Sequence, residues 1–131
     1  MCIFCRIISG EIPCQKIYED DKVLAFLDIK PASVGHTLVI TKKHYADLGE
    51  ISEEDLSPLI VVVKKIGELI KTKLGMAGYS VLNNNGTAAG QTVAHIHFHI
   101  IPRTNGDGLI TWSQRSYDPG EEEEIVKKLT S

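Results

Sequence analysis

The sequence lacks a long apolar run, a strong charge of one sign and a secretion signal. No apolar stretch approaches the roughly 20 residues that a membrane-spanning helix needs, which argues against an integral membrane protein. The net charge of −3 argues against a large electrostatic grip on DNA or RNA, because non-specific binding depends on neutralising phosphates. The first residues have neither the basic nor the apolar region of a signal peptide, so we expect a cytoplasmic protein with no membrane partner.

The 131 residues are enough for one domain around a single hydrophobic core. Apolar and β-branched residues between turn-forming residues predict five strands, at 16–19, 23–27, 36–41, 79–82 and 95–101. Short helices are expected at 4–9 and 122–129, and an apolar pattern of helical period predicts one long helix that Ser52 caps and Gly75 ends. Strands on both sides of one long helix predict an α+β domain with a mainly antiparallel sheet.

Two features of the long helix leave alternatives open. Pro58 either kinks the helix near its start or marks the residue at which regular helix begins. Val61 and Val62 widen the apolar stripe beyond one face. Such a stripe is expected of a helix buried on two sides, for example in a dimer, and also of a monomer with a broad core contact.

Three histidines alternate with apolar residues in the run HIHFHII. Because successive side chains of a strand point to opposite faces, His95, His97 and His99 share one face, roughly 6.6 Å apart along the strand. Three imidazoles at this spacing can surround one phosphate or one metal ion. Imidazole is the commonest metal ligand and also a nucleophile that attacks phosphorus, so the row alone predicts either chemistry.

The residues before this strand favour the nucleophile. Segment 84–92 is rich in glycine and in neutral hydrogen-bond donors, which suits a close approach to phosphate oxygens. It contains no carboxylate, whereas a catalytic zinc or iron site often recruits Asp or Glu. We therefore expect nucleotidyl transfer through a histidine, with a metalloenzyme using the three histidines as ligands as the alternative.

Cys2 and Cys5 have the CxxC spacing of tetrahedral zinc sites, and Cys14 has no evident partner. No second CxxC lies nearby, so further ligands would have to come from far along the chain. His44 and His95 could complete a structural zinc site if their elements adjoin. The alternatives are a pair of free thiols and, less favoured, a redox motif of the thioredoxin type.

The histidine run and four further segments resemble the histidine triad family. These segments are GEIP at 10–13, YEDDKVLAFLDI at 18–29, GHTLVITKKH at 35–44 and GQTVAHIHFHI at 90–100. They are most similar to the Hint branch, which hydrolyses purine nucleoside 5′-phosphoramidates. The resemblance implies a five-stranded antiparallel sheet with one long and one short helix in residues 1–105, and a C-terminal tail in 106–131 that belongs to the same domain or packs on a partner. It also implies a homodimer with a continuous ten-stranded sheet.

The family motif implies a role for each matching residue. His97 would be the nucleophile, supported by His36, while His99 and Gln91 would act at the phosphate. Asp28 would bind the ribose hydroxyls. The remaining nucleotide-binding residues would be Ile3, Phe4, Ile7, Ile12, Leu27, Ile29, Asn84, Gly90 and Thr92. Some relatives bind a structural zinc ion, for which this chain has all four matching ligands: Cys2, Cys5, His44 and His95. No catalytic metal is expected.

The resemblance further implies attack on the α-phosphate, a transient nucleotidyl-histidine and its hydrolysis by water, releasing AMP or GMP. A dinucleoside polyphosphate hydrolase of the same fold is the alternative enzyme. A nucleotide-binding adaptor or sensor with incidental activity is the alternative from another class. Trp112 is a candidate for the C-terminal tryptophan that in Hint proteins reaches the active site of the partner.

Overall fold

The computed structural model describes residues 2–109 and 112–131. The elements, in chain order, are α1 (Ile3–Ile8), β1 (Lys16–Glu19), β2 (Val23–Leu27), β3 (Thr37–Thr41), α2 (Glu53–Leu74), β4 (Gly78–Leu82), β5 (His97–Arg103) and α3 (Glu121–Thr130). A single 3₁₀ turn, Thr87–Ala89, lies between β4 and β5. None of the helices in the described ranges is long and apolar enough to cross a membrane.

The five strands form one antiparallel sheet in the order β1-β2-β3-β5-β4. The predicted α+β fold class is therefore confirmed, as is the hairpin of the first two strands with its predicted limits. The strand that carries the histidines lies between β3 and β4. His99 is consequently paired with a strand on each side, whereas His97 is paired with β3 alone.

Strand β5 differs from its predicted limits at both ends. It begins at His97 rather than His95, and it continues through Pro102, which pairs with Tyr79. Pairing with β3 stops at Thr37 opposite Ile100, so Pro102 lies beyond it and has a neighbouring strand on one side only. The missing N–H of the proline therefore costs no ladder bond on the β3 side, which explains why the strand does not end there.

Helix α2 begins and ends where the sequence predicts. The Ser52 hydroxyl accepts a hydrogen bond from the N–H of Asp55, and Gly75 ends the helix in the left-handed conformation, with φ of 65°. Pro58 lies inside the helix, which begins at Glu53. The alternative in which regular helix begins at residue 58 is therefore wrong. Gly67 lets the helix approach the sheet, because a Cβ at this position would collide with the ring of Tyr79.

The sheet has an apolar cluster on each face. One cluster joins the sheet to α2 and includes Val39, Phe98 and Ile100; the other lies under α1 and contains Phe4, Ile7, Leu24, Phe26, Leu38 and Ile40. His97 is opposite Ile40 and His99 is opposite Leu38, so both histidines lie on the α1 face. The apolar residues that alternate with the histidines pack against α2, as expected: Ile96, Phe98 and Ile100.

The C-terminal tail stands apart from both clusters. Helix α3 has no buried side chain, and its three apolar residues, Ile125, Val126 and Leu129, are exposed. The acidic run Glu121–Glu124 forms its first turn, where negative charge is favourable. The assignment of residues 106–131 to this domain or to a surface on a partner stays a prediction.

Candidate active site

The ring of His97 is held by the backbone of its own strand. Its Nδ1 lies 2.7 Å from the carbonyl oxygen of His95, which can only accept a hydrogen bond. The neutral ring must therefore carry its proton on Nδ1, and Nε2 keeps a free lone pair. The ring of Phe4 packs edge-on at 5.1 Å, and the His97 side chain is only 5% exposed. The most nucleophilic nitrogen of the site is thus oriented and largely desolvated.

His36 and His99 have their protons fixed by a chain of contacts. The N–H of Ala32 donates to Nδ1 of His36 at 2.9 Å, so the proton of neutral His36 is on Nε2. That Nε2–H lies 3.0 Å from Nδ1 of His99 and donates to it. Neutral His99 consequently carries its proton on Nε2. His97 and His99 therefore have opposite tautomers, one offering a lone pair and the other a donor.

Burial keeps His36 and His99 uncharged. Desolvation, followed by the charges that His97 and His36 would carry, lowers the pKa of His99 to about 4. Burial also lowers the pKa of His36, although Asp28, 3.6 Å from its Nε2, opposes the change. Because a protonated imidazole has no free lone pair and would disrupt the chain of contacts, a low pKa preserves the tautomers through the neutral pH range.

The loop after β4 brings neutral donors towards the histidines. Gly86 and Gly90 adopt positive φ angles of 91° and 93°, which only glycine adopts readily. A Cβ at Gly90 would lie 3.7 Å from Nδ2 of Asn84, so these predicted phosphate contacts are neighbours. Within residues 2–109 and 112–131, neither the Asn84 amide nor the exposed Thr92 hydroxyl makes a hydrogen bond. Both are available to phosphate oxygens.

Gln91 does not fit the predicted direct contact with phosphate. Its Nε2 donates to the carbonyl oxygens of Ala46 (2.7 Å) and Val93 (3.0 Å), and its Oε1 accepts from the N–H of Gly86 (2.8 Å). Its backbone N–H is also used, by the carbonyl oxygen of Gly86. The prediction is corrected on this point, since a side chain with both amide hydrogens committed holds the loop and has no donor left for substrate.

Asp28 lies where β2 leaves the sheet. Its N–H donates to the carbonyl oxygen of His36 at 2.9 Å, and its Oδ1 accepts from the N–H of Lys30 at 2.9 Å. These contacts fix the carboxylate beside His36 while leaving lone pairs on both oxygens. The geometry is compatible with the predicted contact to ribose hydroxyls.

The predicted purine pocket divides into buried and exposed residues. Phe4 and Ile7 are buried in the cluster under α1, and Ile12 is partly buried against it. Ile3 and Ile29 are exposed, Ile29 by 91%. The aromatic ring of a bound base can pack on an exposed isoleucine side chain beside the histidines and remove it from water. Phe4 and Ile7 can form only the floor of such a pocket.

Leu27 was predicted to contact the purine and lies on the wrong face for it. It is opposite Thr37, which is in turn opposite Ile100 on the α2 face. Residues one position apart in a strand alternate between faces, so Phe26 rather than Leu27 shares the face of His99. The sequence held the necessary signal, because the predicted limits of β2 already set this alternation.

Trp112 lines a cavity of about 560 Å³ together with Ala32, Leu82 and Asn84. Ala32 holds His36, and Asn84 is a candidate phosphate contact, so the cavity opens next to the phosphate end of the site. The tryptophan therefore approaches the site of its own chain. Its contact with the site of a partner stays a prediction.

Cys2, Cys5, His44 and His95 converge as the sequence predicted. Helix α1 brings the two thiols together, and each Sγ lies 3.3–3.6 Å from the Nδ1 atoms of the two histidines, which are 3.1 Å apart. Tetrahedral zinc with bonds of about 2.3 Å to sulfur and about 2.0 Å to nitrogen requires separations of about 3.5 Å between a sulfur and a nitrogen ligand and about 3.3 Å between two nitrogens. Nε2 of His95 donates to the carbonyl oxygen of Thr41 at 2.7 Å, which leaves Nδ1 unprotonated and facing the thiols. The group can hold a metal ion.

A second group, Asp28, His36 and His99, also places three ligand atoms within 4.8 Å of one another. Here the tautomers oppose a metal. Nε2 of His36 carries a proton because Nδ1 accepts from Ala32, so its lone pair is not available. Binding a cation would require the loss of this backbone hydrogen bond. In both groups the possible ligand atoms lie close together. Only in the second does a backbone hydrogen bond fix a proton on a histidine nitrogen that the metal would need.

The fold and the site define a small α+β protein whose chemistry is built on histidines of a central strand. The chain belongs to the histidine triad family, since the family described as HIT domain matches residues 9–106. This confirms the family resemblance. The match spans all five strands of the sheet, so the family assignment does not depend on any single residue of the site.

Three curated relatives illustrate the family. A HIT-like protein from Methanocaldococcus jannaschii is 58% identical over 110 residues, which are 84% of this chain and 84% of that protein. An adenosine 5′-monophosphoramidase from Schizosaccharomyces pombe is 44% identical over 132 residues, covering 99% of this chain and 96% of the relative. An adenylylsulfatase from Arabidopsis thaliana is 44% identical over 115 residues, covering 88% of this chain and 57% of the relative. The expectation that the chain is an enzyme, a hydrolase of the HIT type, is confirmed.

Solved structures agree with the fold. A HIT family protein from Bacillus subtilis superposes with a TM-score of 0.90 and 42% identity, covering 98% of this chain and 94% of that one. A zinc-bound histidine triad protein from Mycobacterium smegmatis has a TM-score of 0.80 and 42% identity, covering 93% and 86%. The first similarity extends over nearly the whole chain. The second shows that a family member of this fold binds zinc.

The lowered pKa of His99 predicts that acid destabilises the fold. An unfolded histidine is protonated near pH 6.5 and folded His99 only near pH 4, so the unfolded state binds more protons between these values. The free energy of unfolding should therefore decrease over this interval as the pH falls. The full pKa difference corresponds to about 3.4 kcal/mol, which screening by solvent at the partly exposed His99 reduces to about 2 kcal/mol. The His99→Asn variant should therefore lose about 2 kcal/mol less than the unsubstituted protein, measured by urea unfolding at a series of pH values. Equal losses in both proteins would contradict the lowered pKa.

Proposed function

We propose that the protein hydrolyses purine nucleoside 5′-phosphoramidates, releasing AMP or GMP, through a covalent nucleotidyl-His97 intermediate. The observation that carries the proposal is the contact of 2.7 Å between Nδ1 of His97 and the carbonyl oxygen of His95. It leaves Nε2 as an oriented lone pair beside a loop of neutral donors. An imidazole in this state is a competent nucleophile at phosphorus, and no metal is required to activate it.

In the first step, Nε2 of His97 forms a bond to the α-phosphorus while the bond from phosphorus to the leaving nitrogen breaks. The leaving nitrogen carries a proton taken from solvent and departs as a neutral amine. The Nε2–H of His99, the Asn84 amide and the Thr92 hydroxyl donate to the phosphate oxygens. These fixed donors stabilise the charge that is spread over the oxygens in the transition state.

In the second step, water attacks the phosphorus and the bond between phosphorus and Nε2 of His97 breaks. The nucleoside monophosphate leaves, and the proton lost by the water returns to solvent. His97 then regains the tautomer in which Nδ1–H donates to the carbonyl oxygen of His95. The backbone contact persists through both steps, so the ring returns to its starting orientation without rearrangement.

The relatives support an adenylyl group as the transferred part. Two of them are named for adenosine 5′-monophosphoramide and for adenylyl sulfate, which share the adenylyl group and differ in what leaves it. For this chain we place the ribose at Asp28 and the base between the floor formed by Phe4 and Ile7 and the exposed Ile3 and Ile29. A dinucleoside polyphosphate contains the same α-phosphate, and it is therefore included in the test.

The His97→Ala variant should lose at least about a thousandfold in kcat on adenosine 5′-phosphoramidate, because it lacks the atom that forms the intermediate. The measurement is AMP release, compared with a diadenosine polyphosphate as second substrate. Acid-labile labelling of the unsubstituted protein by adenosine-labelled substrate, with the label on His97, would identify the intermediate.

The matched control is Asn105→Ala, an exposed change in the loop after β5. It should keep full activity. Equal rates in the His97→Ala variant and this control would rule out the nucleophile. Binding of AMP without turnover of either substrate would instead indicate the adaptor or sensor.

We also propose that Cys2, Cys5, His44 and His95 bind one structural zinc ion. The donor set of two thiols and two imidazoles is one that zinc prefers, and the ligand separations fit its tetrahedral geometry. Without a cation, burial and the neighbouring Cys2 raise the pKa of Cys5 to about 11, so the free site holds thiols rather than thiolates. The bound ion would connect α1 to the residues that lead into β5.

Removal of the zinc ligand in the Cys5→Ser variant should abolish zinc binding and lower Tm by more than about 10 °C, since binding contributes folding free energy. Zinc per chain is measured by mass spectrometry of metal content, and Tm by calorimetry. Cys14→Ser is the matched control, because Cys14 lies outside the group, and it should keep both values. Zinc retained by Cys5→Ser, or absent from the unsubstituted protein after growth with zinc, would contradict the site.

We further propose a homodimer formed through the β4 edge and α2. Strand β4 pairs on one side only, with Val81 and Leu82 exposed, while Ile60, Val61 and Leu69 are exposed along α2. An unpaired edge with apolar neighbours is a surface that a second copy can cover, and the isologous pairing of two such edges would extend the sheet to ten strands.

Sedimentation equilibrium should give twice the chain mass of 14.4 kDa. The Val81→Lys variant should shift the protein towards monomer, because it places a charge at the proposed interface. Gln15→Lys adds the same charge at an exposed residue just before β1, at the opposite edge of the sheet, so it is the matched control and should remain dimeric. A monomer before any substitution, or a dimer unaffected by Val81→Lys, would contradict the proposal.

A further inference from the structure

The run of three asparagines after β4 includes two that the proposed chemistry does not use. Strand β4 pairs with β5 up to Leu82 opposite His99, and in a regular continuation residue 84 would lie opposite His97. The chain leaves the sheet before that point. Nδ2 of Asn83 instead donates to the carbonyl oxygen of His97 at 2.9 Å. A side chain thus supplies the hydrogen bond that the backbone N–H of Asn84 would have made.

Asn83 is itself held by a second amide. Nδ2 of Asn85 donates to Oδ1 of Asn83 at 2.6 Å, and Oδ1 of Asn85 accepts from the N–H of Leu48 at 2.7 Å. The orientation of both amides is unambiguous, because the N–H of Leu48 can only donate and the carbonyl of His97 can only accept. Three hydrogen bonds, each with its donor on the side nearer Leu48, therefore connect the segment after His44 to the backbone of His97.

This arrangement meets two demands that conflict in a regular sheet. The carbonyl of His97 needs a donor, since a half-buried backbone acceptor left unsatisfied is costly. The Asn84 amide must nevertheless turn out of the sheet towards Gly90 and the phosphate loop. The Asn83 side chain satisfies the carbonyl and so allows the backbone to turn one residue earlier than the ladder would.

We propose that Asn83 is a positioning residue for the nucleophile, acting through the carbonyl oxygen of His97, with Asn85 as its support. The assignment rests on the proposed function of His97. Asn83 touches no reacting atom. It fixes the backbone from which the His97 ring projects, and it keeps Asn84 free to face the phosphate. Loss of the bond should misplace the nucleophile without closing the nucleotide pocket.

The test is the Asn83→Asp variant, which keeps the size of the side chain and replaces the donor with an oxygen that repels the carbonyl. We expect kcat on adenosine 5′-phosphoramidate to fall at least about tenfold, with KM and the Kd of AMP changed less than about twofold, since misplaced reacting groups lower kcat selectively. The exposed Asn105→Asp makes the same chemical change outside the site and should retain the original kcat. Asn85→Asp, which keeps the acceptor for Leu48 but loses the donor to Asn83, should give a smaller fall.

A second measurement does not depend on turnover. Long-range ¹H–¹⁵N spectra of the labelled histidines report the tautomer of His97, which should be Nδ1–H in the unsubstituted protein and in Asn105→Asp, and a mixture in Asn83→Asp. Unchanged kcat and an unchanged tautomer in Asn83→Asp would overturn the assignment. A fall in kcat matched by a similar rise in KM and a lower Tm would also overturn it, as it would show general damage to the sheet. If neither the unsubstituted protein nor any variant turned over substrate, the proposed function would be wrong. The tautomer of His97 would then still test the role of Asn83.

Discussion

The hydrogen bond between the His97 ring and the carbonyl oxygen of His95 is the interaction on which the chemistry of the site depends. The donor and the acceptor lie two residues apart in the chain, so the geometry of the contact is set by the backbone of one short segment. A carboxylate in place of the carbonyl would hold the same tautomer and would add a negative charge next to an anionic substrate. The neutral carbonyl orients the ring and avoids that repulsion.

His95 connects this interaction to the rest of the fold. Its carbonyl fixes His97, its Nε2–H donates to Thr41 of β3, and its Nδ1 faces the two thiols at the start of the chain. It precedes β5 and is fully buried. A buried residue whose ring nitrogens and carbonyl oxygen all have partners has little freedom to move, so order in the cysteine–histidine group is passed directly to the residue that holds the proposed nucleophile.

Much of this site followed from the sequence, and the parts that did not have identifiable physical causes. Alternation in one strand and the family motif were enough to place His97, His99 and the four possible metal ligands. The tautomers could not be predicted, because they depend on Ala32 and on other backbone atoms that no side-chain pattern records. Gln91 was assigned to phosphate, since an amide in a loop looks available until its partners are known. The error at Leu27 was avoidable, because strand alternation alone decides it.

The burial of His36 and His99 also determines how an anionic substrate would affect their protonation. Burial disfavours the protonated form of His36 and His99 before any anion is present. An incoming α-phosphate brings negative charge against these rings and shifts them towards protonation, in the opposite direction to burial. At His36 protonation is opposed by the N–H of Ala32, which occupies Nδ1. At His99 protonation is opposed in the same way by the Nε2–H of His36, which occupies Nδ1. The neutral His99 ring can therefore donate its Nε2–H to a phosphate without first gaining a proton. The proposed attack by His97 would then require no change of protonation in its neighbours, and the geometry of the free protein would be the geometry that the reaction uses.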